Sequence, residues 1–211
     1  MSKVFYDKPI IDQIFEEFRK VEDDRDIEKL TKLVERLPQE DVNKWNNYGN
    51  AILRCASWCG YTEVVKLLLE KEGININIQD NDGCIALICA ISRKGNIEIV
   101  KLLLEKEGIN INIQNNGGCT ALIRASGCGH TEVVKLLLEK ENIDVNIQDS
   151  DGETALMSAS WSGYTEIVKL LLEKEDIDVN IQDSDGKTAL RIASWCGYTE
   201  IVKLLRNYTY N

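Results

Sequence analysis

Apolar residues come in short, dense stretches separated by polar ones, and the stretches have helical spacing. From Thr165 onward, Ile167, Val168, Leu170, Leu171 and Leu172 fall at i, i+3 and i+4 separations, while Lys169, Glu173 and Lys174 turn the other way. This predicts a helix with one broad apolar face. Thr165 offers its hydroxyl to the unpaired amides of the first turn. Upstream, Thr154, Ala155, Leu156 and Ala159 predict a shorter helix closed by Gly163, a residue at ease with positive φ. Gly73, Gly108 and Asn142 fall where a left-handed residue would stop the second helix. The link that follows, such as Ile177 to Gly186, alternates apolar and polar residues before an Asp-Ser-Asp-Gly turn, and so predicts a loop or short hairpin.

The two-helix pattern recurs along the chain. DSDGETALMSASWSGYTEIVKLL from Asp149 returns as DSDGKTALRIASWCGYTEIVKLL from Asp183, a shift of 34 residues. Gly49, Gly83, Gly118, Gly152 and Gly186 form one series, and Gly60, Gly95, Gly129, Gly163 and Gly197 another, each with steps of 34 apart from a single 35. The odd residue lies between Ala90 and Gly95. Five units follow, at about 47–79, 80–114, 115–148, 149–182 and 183–211. Residues 1–46 form an N-terminal helical cap or degenerate unit, in which Asp26 to Leu37 aligns with the second helix and Val42 and Asn43 align with Ile76 and Asn77.

Two short helices cannot bury their own apolar faces, so neighbouring units must stack into an elongated all-α solenoid. Stacking consumes the apolar seam, which predicts a monomer. Arg206 replaces the third leucine of the run (Leu69, Leu104, Leu138 and Leu172 elsewhere), as suits a last unit with water on one side. The unit from Gly83 to Ile113 is expected to be the weak joint. It carries the inserted residue, and Ile97 stands where its siblings have threonine, losing a cap worth about 1 kcal/mol.

Composition narrows the function. With 35 acidic and 25 basic residues the net charge is −10, which repels nucleic acid and anionic membranes. The apolar run Ile85 to Ile91 is far short of the roughly 20 residues needed to span a bilayer, and the first residues show no signal sequence, so a cytoplasmic protein is expected. Its 7 cysteines recur in register with the repeat and lack paired Cys/His knuckles, so they read as free thiols and no metal or cofactor is expected. His130 is the single histidine, and once the repeats are assigned no residues remain for a catalytic domain.

The pattern D-x-x-G-x-T-A-L-x-x-A-x-x-x-G-[HY]-T-E-[VI]-V-K-L-L-L resembles the ankyrin repeat, strongly over 47–211 and weakly over 1–46. The resemblance implies stacked helix-turn-helix units with hairpin loops, and a non-catalytic module that holds another protein as scaffold, adaptor or inhibitor. In that family partners commonly bind the hairpin tips and the exposed end of the first helix, which together form a concave face. Carried over, the tip positions include Tyr48, Asp82, Asp151, Glu153, Asp185 and Lys187, and the helix positions include Trp58, Arg93, Lys94, Trp161 and Trp195. Trp161 and Trp195, one repeat apart, are expected to form a paired aromatic ledge with an acidic rim, suited to a partner with a basic patch. Asp80, Asp149 and Asp183 are expected to bond their own turns rather than a cation. One departure matters: the family's Thr-Pro-Leu-His opening becomes Thr-Ala-Leu-x, with Ile88, Ile123, Met157 and Arg191 at the histidine position. Apolar packing is expected to replace the polar tether.

Two further implications stay open. LEKENIDVN and LEKEDIDVN, ending at Asn146 and Asn180, resemble the motif that asparaginyl hydroxylases recognise in ankyrin proteins, so the chain reads alternatively as a substrate or decoy for such an enzyme. The near-identical units, rich in Asn, Ile and Lys, are similar to repeat arrays of large DNA viruses, intracellular bacteria and protists, which implies a viral or bacterial effector acting on a host protein.

Overall fold

The computed structural model describes residues 8–20, 26–46, 49–94 and 96–209. An N-terminal pair, α1 (Ile10–Arg19) and α2 (Ile27–Glu35), is followed by a short 3-10 turn at Gln39–Asp41. Five further pairs follow: α3 (Ile52–Cys59) with α4 (Thr62–Glu70), α5 (Ala86–Lys94) with α6 (Ile97–Glu105), α7 (Ala121–Cys128) with α8 (Thr131–Leu138), α9 (Ala155–Ser162) with α10 (Thr165–Leu172), and α11 (Ala189–Cys196) with α12 (Thr199–Thr209). The first helices pack side by side from α3 to α11, the second helices from α2 to α12, and α1 contacts both α2 and α3. Among the described residues a lone bridge, Trp45 to Ala51, is the only β pairing, so the links are loops. No described helix is long and apolar enough to cross a membrane.

The core is continuous between the two rows. Val133, Val134 and Leu137 of α8 are buried, as are Ile167, Val168 and Leu171 of α10, and the same positions repeat in α4 and α6. Ile88, Ile123 and Met157 are buried at the position where the family has histidine, so apolar contact does take that place; Arg191 at the same position is exposed. Leu69 and Leu104 are buried and Arg206 is exposed, in keeping with a wet outer side on α12.

Helix ends differ from the sequence expectation in an informative way. α4, α8 and α10 start after Tyr61, His130 and Tyr164, with no side-chain cap, so the following threonine caps nothing. Threonine caps the first helices instead: Thr120, Thr154 and Thr188 accept the amides of Ile123, Met157 and Arg191. In the second unit Asn96 caps α6 by accepting the amide of Ile99 at 3.2 Å. The unit expected to lack a cap at its second helix therefore has one, where α4, α8 and α10 have none. Gly73 and Gly108 take positive φ after α4 and α6, but among the described residues no non-glycine does, so Asn142 stops nothing by a left-handed turn. At Gly129 and Gly163 glycine is needed twice over. Each has a left-handed φ (76° and 77°), and a Cβ would lie 2.6 Å from the ring of Tyr164 or Tyr198 in the next unit.

Polar ladders tie the loops together across units. Asn43, Asn77, Asn112 and Asn146 each donate a side-chain amide to a carbonyl of the next link, at Gly73, Gly108, Asn142 and Asp176. Each also accepts an amide there, from Asn75, Asn110, Asp144 and Asp178. Gln79, Gln114 and Gln148 donate their side-chain amides to the backbone carbonyls of Gln114, Gln148 and Gln182. Because Asn43 belongs to the first rung, the N-terminal pair is continuous with the stack. Arg54 and Asp80 add an ion pair between the first two of the five units.

Candidate functional site

The tip turns are built by their own aspartates. Asp80 accepts the amides of Asp82 and Cys84, Asp149 those of Asp151 and Glu153, and Asp183 those of Asp185 and Lys187. Each tip then leans on the next, with Asn116 donating its amide to Asp82 (2.9 Å) and Ser184 to Asp151 (2.9 Å). Such turns hold the residue after each glycine, Glu153 or Lys187, beside the end of the first helix. Among the described residues no group of His, Cys, Asp and Glu side chains is arranged to hold a metal.

The first helices end in exposed aromatic rings. Trp161 is 49% exposed and Trp195 71%, and their ring centroids lie 5.4 Å apart at a tilt of 49°. Lys187 places its ammonium 5.8 Å from the centre of the Trp195 ring and bonds Asp185 at 2.7 Å. Glu153 and Trp161 line a cavity of about 240 Å³ with Gly127, Ser158 and Ser162. Burial, together with the charges of Asp149, Asp151 and Asp183, raises the Glu153 carboxyl above its ordinary value. The structure thus brings Trp161, Trp195, Glu153, Asp185 and Lys187 into one surface, with the exposed Asp151 on its tip.

Other expected residues stand apart. Trp58, near the end of α3, is 42% exposed and makes no ring contact with the pair among the described residues. Arg93 and Lys94 form the last turn of α5, and their side chains, like all of Tyr48, lie outside the described residues. Asp82 is exposed on its own tip, remote in sequence from the tryptophan pair. Asn146 is engaged in the ladder, whereas Asn180 is exposed, with no side-chain bond found among the described residues.

Sequence reading missed two features. Gly127, at the position held by Trp58, Arg93, Trp161 and Trp195 in the other units, opens the cavity beside Trp161, and the signal is that it alone in the series has no side chain. Trp45, 51% exposed, lines a separate cleft of about 270 Å³ with Lys8, Asp12, Phe15 and Arg19. It precedes the clear repeats, so no period marked it.

Comparison with known proteins agrees with this geometry. Family models described as ankyrin repeats match residues 72–149 and 141–211 (three copies) and residues 33–90 (many copies). No curated protein matches the chain. Among solved structures it is similar to the crystal structure of EF0377, an ankyrin repeat protein, with a TM-score of 0.79 and 31% identity, covering 95% of this chain and 97% of that one.

Proposed function

Because the chain belongs to the ankyrin repeat family, whose repeats are generally protein-interaction modules, we propose that it is a non-catalytic scaffold, adaptor or inhibitor holding another protein on its concave face and hairpin tips. The observation that carries this reading is the exposed Trp161–Trp195 pair, since large aromatic rings are preferred anchors at interfaces. Acidic tips at Asp151 and Asp185 favour a partner with a basic patch, with charge steering the encounter and the rings supplying affinity. On this reading the protein acts as a cytoplasmic monomer, where its cysteines stay reduced, and as an effector it would engage a host protein. Quantitative affinity capture tests it. A partner retained by the wild type and lost by the Trp161→Ala/Trp195→Ala double variant of unchanged helicity supports the reading; identical capture by the two removes this surface from it.

A second reading, substrate or decoy for an asparaginyl hydroxylase, is favoured at Asn180 over Asn146, because the Asn146 amide is held from both sides by the next link. Intact mass after incubation with such an enzyme decides it, and a chain that gains no oxygen ends this reading.

A further inference from the structure

The cavity beside Trp161 exists because one residue of a repeating pattern is missing its side chain. Gly127 stands where Trp58, Arg93, Trp161 and Trp195 stand in their units, each of them a large side chain. Nothing in the backbone asks for glycine there: Gly127 is helical, lacks positive φ, and an added Cβ would meet the Ser158 side chain at 3.6 Å, an ordinary contact. Trp161 therefore has Trp195 on one side and an open notch on the other. Ser162 fixes the floor, donating its hydroxyl to the carbonyl of Gly127 at 3.3 Å.

The neighbouring unit shows what such a site takes. Glu153 and Lys187 are equivalent, each following the tip glycine. In the last unit Lys187 sets its own cation over Trp195 and pairs it with Asp185. One unit earlier the aromatic ring has the carboxylate of Glu153 beside it in place of a cation. Asp149, Asp151 and Asp183 add to the negative charge around Glu153, while Lys187 opposes them. Arg124 borders the adjoining cleft, where it shares the wall with Asp149. We infer that the notch above Gly127 receives the cationic side chain of a lysine or arginine of the partner, with its charge between the Glu153 carboxylate and the face of Trp161. This rests on the protein-binding reading and names the contact at its centre. A ring face and a carboxylate together select a cation over a neutral side chain, and the missing side chain at Gly127 gives it room.

The test pans a random peptide library displayed on phage against the full chain and measures the enriched peptides by fluorescence anisotropy. Two variants keep the fold within the repeat's own vocabulary. Gly127→Trp fills the notch with the residue found in three of the four sibling units, and Glu153→Lys supplies the cation internally, as Lys187 does. Enriched peptides sharing a lysine or arginine, each variant weakening them tenfold or more, and replacement of that residue by glutamine doing the same, support the inference. Enriched peptides with no shared basic residue, or with affinities indifferent to both variants, overturn it and leave the protein-binding reading standing. A library from which no peptide is enriched overturns both.

Discussion

Asn112 donates its side-chain amide to the carbonyl of Asn142, thirty residues on, at 2.7 Å. Its own carbonyl accepts the amide of Asp144 at 3.0 Å, so one side chain closes two backbone groups of the next unit. Each such bond contributes about 1 kcal/mol net. Asn112→Ala is therefore expected to lower stability by about 2 kcal/mol in urea titration, and Asn180→Ala, which breaks no side-chain bond described here, to stay within about 0.5 kcal/mol. Equal losses would mean that the ladder contributes nothing beyond the stacking of apolar faces.

Capping predicts a second contrast. Asn96 accepts the amide of Ile99, whereas α10 begins without a side-chain cap. Asn96→Ala is expected to cost about 1 kcal/mol and Thr165→Ala less than about 0.5. The opposite order would restore the second unit as the weak joint.

The stacked helices and their order were legible from residues such as Ile167, Val168 and Leu171, because burial of one helical face imposes a period on the chain. Turn-making by Asp149 and Asp183 was legible for a similar reason: an aspartate two residues before a turn residue closes on its amide. The caps were not. Thr165 and Thr154 each sit at a helix head, and only the chain direction after Gly163 decides that Tyr164 takes the cap position and leaves Thr165 inside the helix. The cavity at Gly127 was hidden because it is made between two units, and a period describes only what each unit has in common.

Cys84 and Cys119 follow the tip glycines of consecutive units, yet their thiols diverge. A hydrogen bond from the Cys89 thiol lowers the pKa of Cys84 and outweighs burial, with help from the Asn115 amide 3.6 Å away; burial raises that of Cys119. Competitive alkylation at neutral pH, read by mass spectrometry, is expected to label Cys84 before Cys119. Asn115→Asp keeps the turn acceptor of its siblings but removes the donor, and so is expected to slow Cys84.

Glu153 gives a pH dependence of known sign. Its carboxyl lies above the ordinary value in the folded chain, so below the ordinary glutamate range it is protonated in both states and has no effect on stability. As pH rises toward the folded value the unfolded chain loses its proton first and stability falls; beyond it the deficit is constant. Glu153→Gln is expected to melt higher than wild type at neutral pH and to converge with it in acid. A difference that grows in acid contradicts this environment for Glu153.

The tryptophan pair separates binding from folding. Trp195 is 71% exposed and Trp161 49%, so truncating them removes much solvent-facing surface, the Lys187 contact with Trp195, and one ring contact that contributes about 0.5–1.5 kcal/mol. Leu137, fully buried in α8, is the comparator, and its replacement by alanine costs about 2–5 kcal/mol. Trp161→Ala/Trp195→Ala is expected to keep its circular dichroism and melt close to wild type while losing the partner, whereas Leu137→Ala melts early and loses affinity only as far as it unfolds. If the double variant instead melts as early as Leu137→Ala, the rings are part of the stack's own support. Binding would then have to be sought at the tips around Asp82 or in the cleft beside Trp45.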